Sequence, residues 1–291
     1  TDTSLALQNG DKAICKLVFD EKQPKTYFHP LATADGEVLT ALSPADHPWH
    51  RGLWWSWKHI NGLNYWEEDR KTGKSEGVNE LTGVDVKPLA DGRRISLRFS
   101  YHPPDKPAVV TESRSLEIGI PDPEGNHRIR WASSFVAGKD PVVFERTPPS
   151  TAKNGVKWGG YAGLSLRFPP GIKGWIFRTS EGKTGAAQGN GQNARWVDFS
   201  GPTAGIAVFD HPENPRHPSP WYLNESLPYF SPAILYNGKL EMKPGETMNL
   251  NYLVLVHSKQ MDREAIEKEW KEFAGAGKER RTAGQDNSSE H

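Results

Sequence analysis

Ile95-Ser96-Leu97-Arg98-Phe99-Ser100-Tyr101 decides the fold of this chain. Apolar side chains occupy every second position, and polar ones fill the gaps. Side chains alternate between the two faces of a β-strand, so this spacing buries one face and wets the other. The pattern recurs at Leu116, Ile118 and Ile120, and again at Ile129, Trp131, Ser133 and Phe135. Leu250, Tyr252, Val254 and Val256 repeat it, while Leu253 and Leu255 on the other face predict a strand buried on both sides. Turn signals separate the runs: Pro103-Pro104-Asp105, Pro121-Asp122-Pro123-Glu124-Gly125, Asn214-Pro215 and Asn237-Gly238. The prediction is an all-β fold, a large antiparallel β-sandwich.

One helix is expected, near Met261 to Ala274. There Ile266, Trp270 and Phe273 recur at helical spacing, Asp262 and Glu264 suit the first turn, and Gly275 offers a stop. Residues 1–276 read as one sandwich domain, and the polar stretch 277–291 as a flexible tail.

The 291 residues include 36 Lys plus Arg and 36 Asp plus Glu. This balance gives no net field to gather nucleic acid or an anionic membrane. No run of about 18 apolar residues predicts a membrane helix. Cys15 stands alone, so neither an intrachain disulfide nor a multi-cysteine metal site is available. The Gly-rich segment 181–194 lacks the Gly-Lys-Ser/Thr ending of a phosphate loop and precedes a strand-like run, so it reads as a surface loop.

Chemistry concentrates in Asp46-His47-Pro48-Trp49-His50-Arg51-Gly52-Leu53-Trp54-Trp55-Ser56-Trp57-Lys58-His59. Three His, one Arg and four Trp share these fourteen residues. Imidazole moves protons near neutral pH, guanidinium holds oxygen-rich groups, and indole offers flat apolar faces. Such a mixture suits a sugar-binding cleft. His47 and His50 are the candidate acid/base groups, with Glu112 or Asp210 as carboxylate partner. Arg51 is the candidate substrate anchor. Trp55, Trp57, Tyr65, His211 and Trp221 are candidate ligand contacts. Trp54 points away from Trp55 and Trp57, so at least one side of that strand belongs to the core. Trp158-Gly159-Gly160-Tyr161 is a further, weaker candidate. Spacing specifies no metal set and no cofactor.

Several blocks together resemble a known family: Tyr27-Phe28-His29-Pro30-Leu31, Asp46 to Trp54, Thr111-Glu112-Ser113-Arg114, and Asp210-His211-Pro212-Glu213-Asn214-Pro215. The resemblance is to the family labelled "methane oxygenase PmoA", also described as a domain of unknown function, and spans roughly 13–257. It implies a β-rich protein of polysaccharide-degrading bacteria. The strand pattern is also similar to the galactose-mutarotase-like supersandwich. A carbohydrate-active enzyme using His/carboxylate chemistry on a sugar or oligosaccharide is the leading expectation, with a periplasmic or secreted location. A non-catalytic glycan-binding module needs platforms alone. A metal-dependent oxygenase needs two His and a carboxylate converging with open positions.

Overall fold

The computed structural model describes residues 3–285, with side chains of the last helix described as far as Ala276. Alternation becomes architecture as predicted. A front sheet of seven strands runs, in spatial order, Ser4–Asn9, Lys12–Val18, Tyr27–Leu31, Leu53–Ser56, Gly163–Arg167, Tyr229–Pro232 and Trp221–Asn224. A back sheet of eight runs Ile176–Thr179, Trp196–Ser200, Gly205–Asp210, Thr247–His257, His127–Ala137, Val110–Gly119, Gly92–His102 and Val78–Leu89. A third sheet is formed by the short strands Leu240–Met242, Val142–Glu145, His59–Ile60 and Leu63–Asn64. The pairings within all three sheets are antiparallel.

The core lies between front and back sheets. Ile95, Leu97, Phe99 and Tyr101 point inward, facing across it toward Leu53, Trp55, Leu164 and Leu166 of the front sheet. Trp55 packs on Trp131 at 6.5 Å and Phe135 at 5.4 Å, tying the sheets together. Each such ring removes roughly 150–250 Å² from water, so these contacts dominate cohesion.

The strand Thr247–His257 is buried on both faces because the helix Arg263–Gln285 lies over its outer side. Ile266 and Phe273 meet Leu253, Leu255, Phe209 and Trp196 there. The helix is longer than its sequence pattern predicted. Gly275 does not end it, because good helix formers such as Lys278, Glu279 and Arg280 follow. The stretch read as a flexible tail therefore overlaps the helix up to Gln285, and residues 286–291 lie outside the described residues. No helix among the described residues is long and apolar enough to cross a membrane.

Candidate functional site

The outer face of the front sheet carries a second aromatic layer, separate from the core. Trp54, Tyr27, Tyr222 and Tyr229 sit one residue out of step with the inward-facing Leu53, Phe28, Leu223 and Phe230. Cross-strand pairing sets Trp54 beside Tyr27 and Ser165, and Tyr229 beside Arg167. The sheet thus lays Tyr27, Trp54, Ser165, Arg167, Tyr229 and Tyr222 across one surface.

A loop before the strand Leu53–Ser56 folds over this layer. Hydrogen bonds from Ser43 N to His50 O (2.8 Å), His47 N to Pro44 O (3.0 Å) and His50 N to His47 O (3.0 Å) close it. Gly52 lets it leave the sheet: its φ is +73°, and a Cβ there would lie 2.4 Å from the Phe28 carbonyl oxygen. His50 is consequently driven into the aromatic layer. Its ring stacks on Tyr229 at 5.4 Å and on His47 at 4.7 Å, and packs on Trp54 at 5.0 Å. Burial, then the nearby charges of His47 and Arg167, hold its pKa well below the usual histidine range. His50 is a neutral ring with little access to solvent.

His47 is the accessible imidazole, with a side chain 36% exposed. Its Nδ1 lies 3.1 Å from Asp46 Oδ2. The same oxygen accepts from Arg167 Nη2 at 2.8 Å. Burial pushes the Asp46 carboxyl up, but the His47 hydrogen bond and the Arg167 charge outweigh it and hold its pKa low. Arg51 braces the loop, donating to Ser43 Oγ at 3.0 Å, to the Pro48 carbonyl and to Glu68 Oε2 at 2.7 Å. Lys25 shares Glu68 from the other side. Lys58 pairs with Glu67, which also accepts from Asn64 at 2.6 Å.

Rings continue from His50 toward the open surface. Tyr229 meets Tyr222 at 5.6 Å, and Tyr222 meets Tyr161 at 5.4 Å. Tyr222 then lines a shallow groove of about 470 Å³ with Val156, Lys157, Trp158 and Asn224. Trp158 is 54% exposed there. A connected aromatic row therefore runs from the Trp158 groove through Tyr222, Tyr229 and His50 to His47.

Other predicted residues lie elsewhere. Trp55 and Trp57 face the core, at 1% and 0% exposure, so they have no face to offer a sugar. Trp54, on the same strand, points into the outer aromatic layer but is likewise buried there, beneath His50 and Trp66. Trp221 is also core, its indole donating to the Ala194 carbonyl at 2.8 Å. Tyr65 packs in the core beneath Gly77, and its phenol, pushed up to about 12 by burial, touches a different groove of about 760 Å³ beside Lys25, Asn79 and His102.

Glu112 is no cleft acid. It points between the sheets, bonded to Arg114 (2.7 and 2.9 Å), Ser133 (2.6 Å) and Tyr101 (2.5 Å). Asp210 ends a back-sheet strand, fully buried, accepting from Asn214 Nδ2, Ser219 N and the His217 ring. It organises the Pro-rich loop after it. His211 packs on Phe273 at 5.0 Å, under the C-terminal helix on the back face. The expected meeting of the His47 and Asp210 blocks does not occur: His47 lies over the outer face of the front sheet, whereas Asp210 is turned inward beside Tyr252 at the end of a back-sheet strand and His211 lies beneath the C-terminal helix. Among the described residues, no group of three or more His, Cys, Asp or Glu is placed to hold a metal ion.

Sequence reasoning passed over Asp46 and Arg167. The signal for Arg167 was its position in Gly163-Leu164-Ser165-Leu166-Arg167-Phe168, where a lone cation interrupts an apolar strand.

Residues 4–271 match the model of a family of unknown function (DUF6807). That description contains no oxygenase label, so the activity suggested by the PmoA name finds no support in it. No curated protein matches the chain significantly. Among solved structures it is similar to an α-galactosidase from Lactobacillus brevis, at 9% identity over 89% of this chain and 40% of that one, with a TM-score of 0.47. An α-galactosidase of Geobacillus stearothermophilus in complex with raffinose shares 11% identity over 88% of this chain and 41% of that one, with a TM-score of 0.41. A polysaccharide lyase matches at 11% identity over 89% of this chain and 33% of that one, with a TM-score of 0.31. The chain thus spans less than half the length of each of these sugar-active enzymes.

Proposed function

We propose a function for the aromatic face on the premise that this chain belongs to the DUF6807 family, whose description assigns no activity. The protein is carbohydrate-active: it binds a saccharide along the outer face of the front sheet and moves a proton with His47. One observation carries the reading. A buried row of rings, Tyr222, Tyr229 and His50, links the exposed Trp158 groove at one end to the accessible Asp46–His47 pair at the other.

The chemistry follows from that placement. Sugar rings present apolar C–H faces that stack on aromatic rings, and hydroxyls that need hydrogen-bonding partners. Asp46 fixes the imidazole through Nδ1, which leaves Nε2 to take or give a proton. Arg167 holds Asp46 in place from beneath. Proton transfer of this kind serves epimerisation, elimination or hydrolysis.

A second reading, a non-catalytic glycan-binding module, is favoured by one observation. With Glu112 and Asp210 engaged elsewhere, and Glu67 tied to Lys58 and Asn64, Asp46 is the carboxylate bonded to His47.

Tryptophan fluorescence titrated with a glycan panel, together with product analysis of each mixture, separates the readings. The enzyme reading expects a bound glycan to be converted, and His47→Gln to slow conversion by about 10²–10⁴-fold while binding changes little. Binding with no product from any glycan selects the module. Absence of binding across the panel removes both.

A further inference from the structure

Arg167 is buried yet under-used. Its side chain is 2% exposed, and Nη2 donates to Asp46 at 2.8 Å. Nε and Nη1 are shielded from solvent and have no hydrogen-bond partner. A guanidinium offers five N–H donors, and leaving a buried ion partly unpaired is costly. Its one carboxylate partner is itself superficial, 43% exposed, and shared with His47. His50 Nδ1, in the same layer, is likewise buried without a partner.

Charge points the same way. The ion-pair network of this face contains four cations, Lys25, Arg51, Lys58 and Arg167, against three carboxylates, Asp46, Glu67 and Glu68. Lys25 and Arg51 divide a single Glu68 between them. A neutral sugar would leave this surplus of positive charge uncompensated, whereas an anionic one completes it. Asp46 already shows which anion fits, since a carboxylate meets Arg167 in charge-assisted hydrogen bonding. The loop that carries Asp46 is closed by backbone hydrogen bonds that do not use its side chain. That side chain can therefore rotate away without opening the loop.

We propose that the saccharide is acidic, a hexuronate, and that its carboxylate exchanges with Asp46 at Arg167. This inference rests on the saccharide reading above and adds the substrate class. The incoming carboxylate takes the place of Asp46 Oδ2 against both Arg167 and His47 Nδ1, so the imidazole keeps a carboxylate partner and its free Nε2.

The test is calorimetric titration of hexuronate oligomers of the galacto and gluco series, each as free acid and as methyl ester, beside a sulfated oligosaccharide. The ester keeps the sugar and removes the charge. At low ionic strength the preferred acid should bind about tenfold or more tighter than its ester, and the gap should shrink with salt. Asp46→Asn removes the competing carboxylate while an amide oxygen still accepts from Arg167. It should tighten the acid about threefold to tenfold relative to the ester. Arg167→Gln should erase the preference. Because that variant can fail to fold, Asp46→Asn carries the decision. Equal binding of acid and ester overturns the inference and leaves the saccharide reading standing. Weaker acid binding by Asp46→Asn overturns the exchange, and preference for sulfate overturns the carboxylate. Absence of binding here and across the neutral panel removes the saccharide reading itself.

Discussion

The outer faces of the two sheets both bury charge, and they treat it in opposite ways. On the back face, Asp198 accepts from His257 Nε2 (2.9 Å), from Arg178 (2.6 and 3.2 Å) and from Ser200 (2.7 Å). His257 Nδ1 also has its partner, the Lys259 carbonyl at 2.7 Å. At the end of the neighbouring strand Asp210, turned inward beside Tyr252, also has both oxygens occupied. The C-terminal helix seals the region, Trp196 donating to Glu267 at 2.7 Å and Trp270 to the Asp210 carbonyl at 3.0 Å. On the front face, Arg167 keeps two unpartnered nitrogens, His50 one, and the indoles of Trp49, Trp54 and Trp66 lack acceptors. Buried polar groups are normally satisfied, because an unmade hydrogen bond costs about 1–3 kcal/mol. Full satisfaction marks groups that hold the chain together. Single spare groups also occur in the core, at Trp55, Trp57 and His127; what distinguishes the front face is a spare buried guanidinium one contact from exposed Asp46 and His47.

The strongest way to break this comparison is at Glu112, a satisfied carboxylate. Arg114 lies between Phe99 at 4.3 Å and Trp131 at 4.6 Å, with Glu112 as its counter-ion. Glu112→Ala strands that guanidinium in the core. Its expected effect is a stability loss of about 3–5 kcal/mol in urea unfolding. A variant of normal stability that no longer binds ligand would return Glu112 to the site.

Acid titration sharpens the comparison at an unsatisfied core residue. His127 is 0% exposed, neither ring nitrogen has a partner, and burial pushes its pKa down to about 4 from 6.5. Between those values the unfolded chain holds the proton and the folded protein does not. Stability therefore falls as pH drops from 6.5 to about 4, by an amount on the order of 3 kcal/mol, and His127 adds nothing below. Burial shifts His50 in the same direction. The low pKa values of Asp46 and Glu67 also make stability fall with acid, but through their own lower range, below the upper part of the histidine window. Urea midpoints from pH 7 to 4.5 should slope downward in the wild type, and His127→Phe should flatten the curve. An unchanged slope in the variant would show that His127 finds a partner or stays charged when folded.

The difference between the faces was only half legible in the sequence. Alternation at Ile95–Tyr101 and the spacing of Ile266, Trp270 and Phe273 locate sandwich and helix, because burial imposes a period that residues display directly. Which face of Leu53–Ser56 meets the core is a matter of register, and a one-residue slip exchanges Trp54 for Trp55. The sequence places these two tryptophans on opposite sides without saying which side is inside. Glu112 and Asp210 look like cleft acids because a carboxylate in an apolar run is conspicuous, yet its buried partners, Ser133 and Tyr101 or His217 and Ser219, come from other segments. Arg167 was hidden for the same reason, since its partner Asp46 lies 121 residues away.

The smallest expected effect on stability, and the clearest contrast of faces, is at tryptophan. Trp158 and Trp55 are chemically identical and differ in what surrounds them. Trp55 is 1% exposed and touches Trp57, Trp131, Phe135 and Tyr252. Trp55→Ala should leave a cavity and cost about 3–5 kcal/mol. Trp158 is 54% exposed, so Trp158→Ala should move the unfolding midpoint by no more than about 0.5 kcal/mol. Its effect belongs to binding. A sugar face stacked on the indole gains about 1 kcal/mol beyond simple burial, so its removal should weaken the preferred glycan about fivefold to tenfold. Trp158→Phe keeps a ring of smaller area and should fall between the two. Paired measurements of urea midpoint and glycan affinity on these variants test the division directly. If Trp158→Ala destabilises the fold while affinity holds, the groove is packing surface and the row of rings ends at Tyr222.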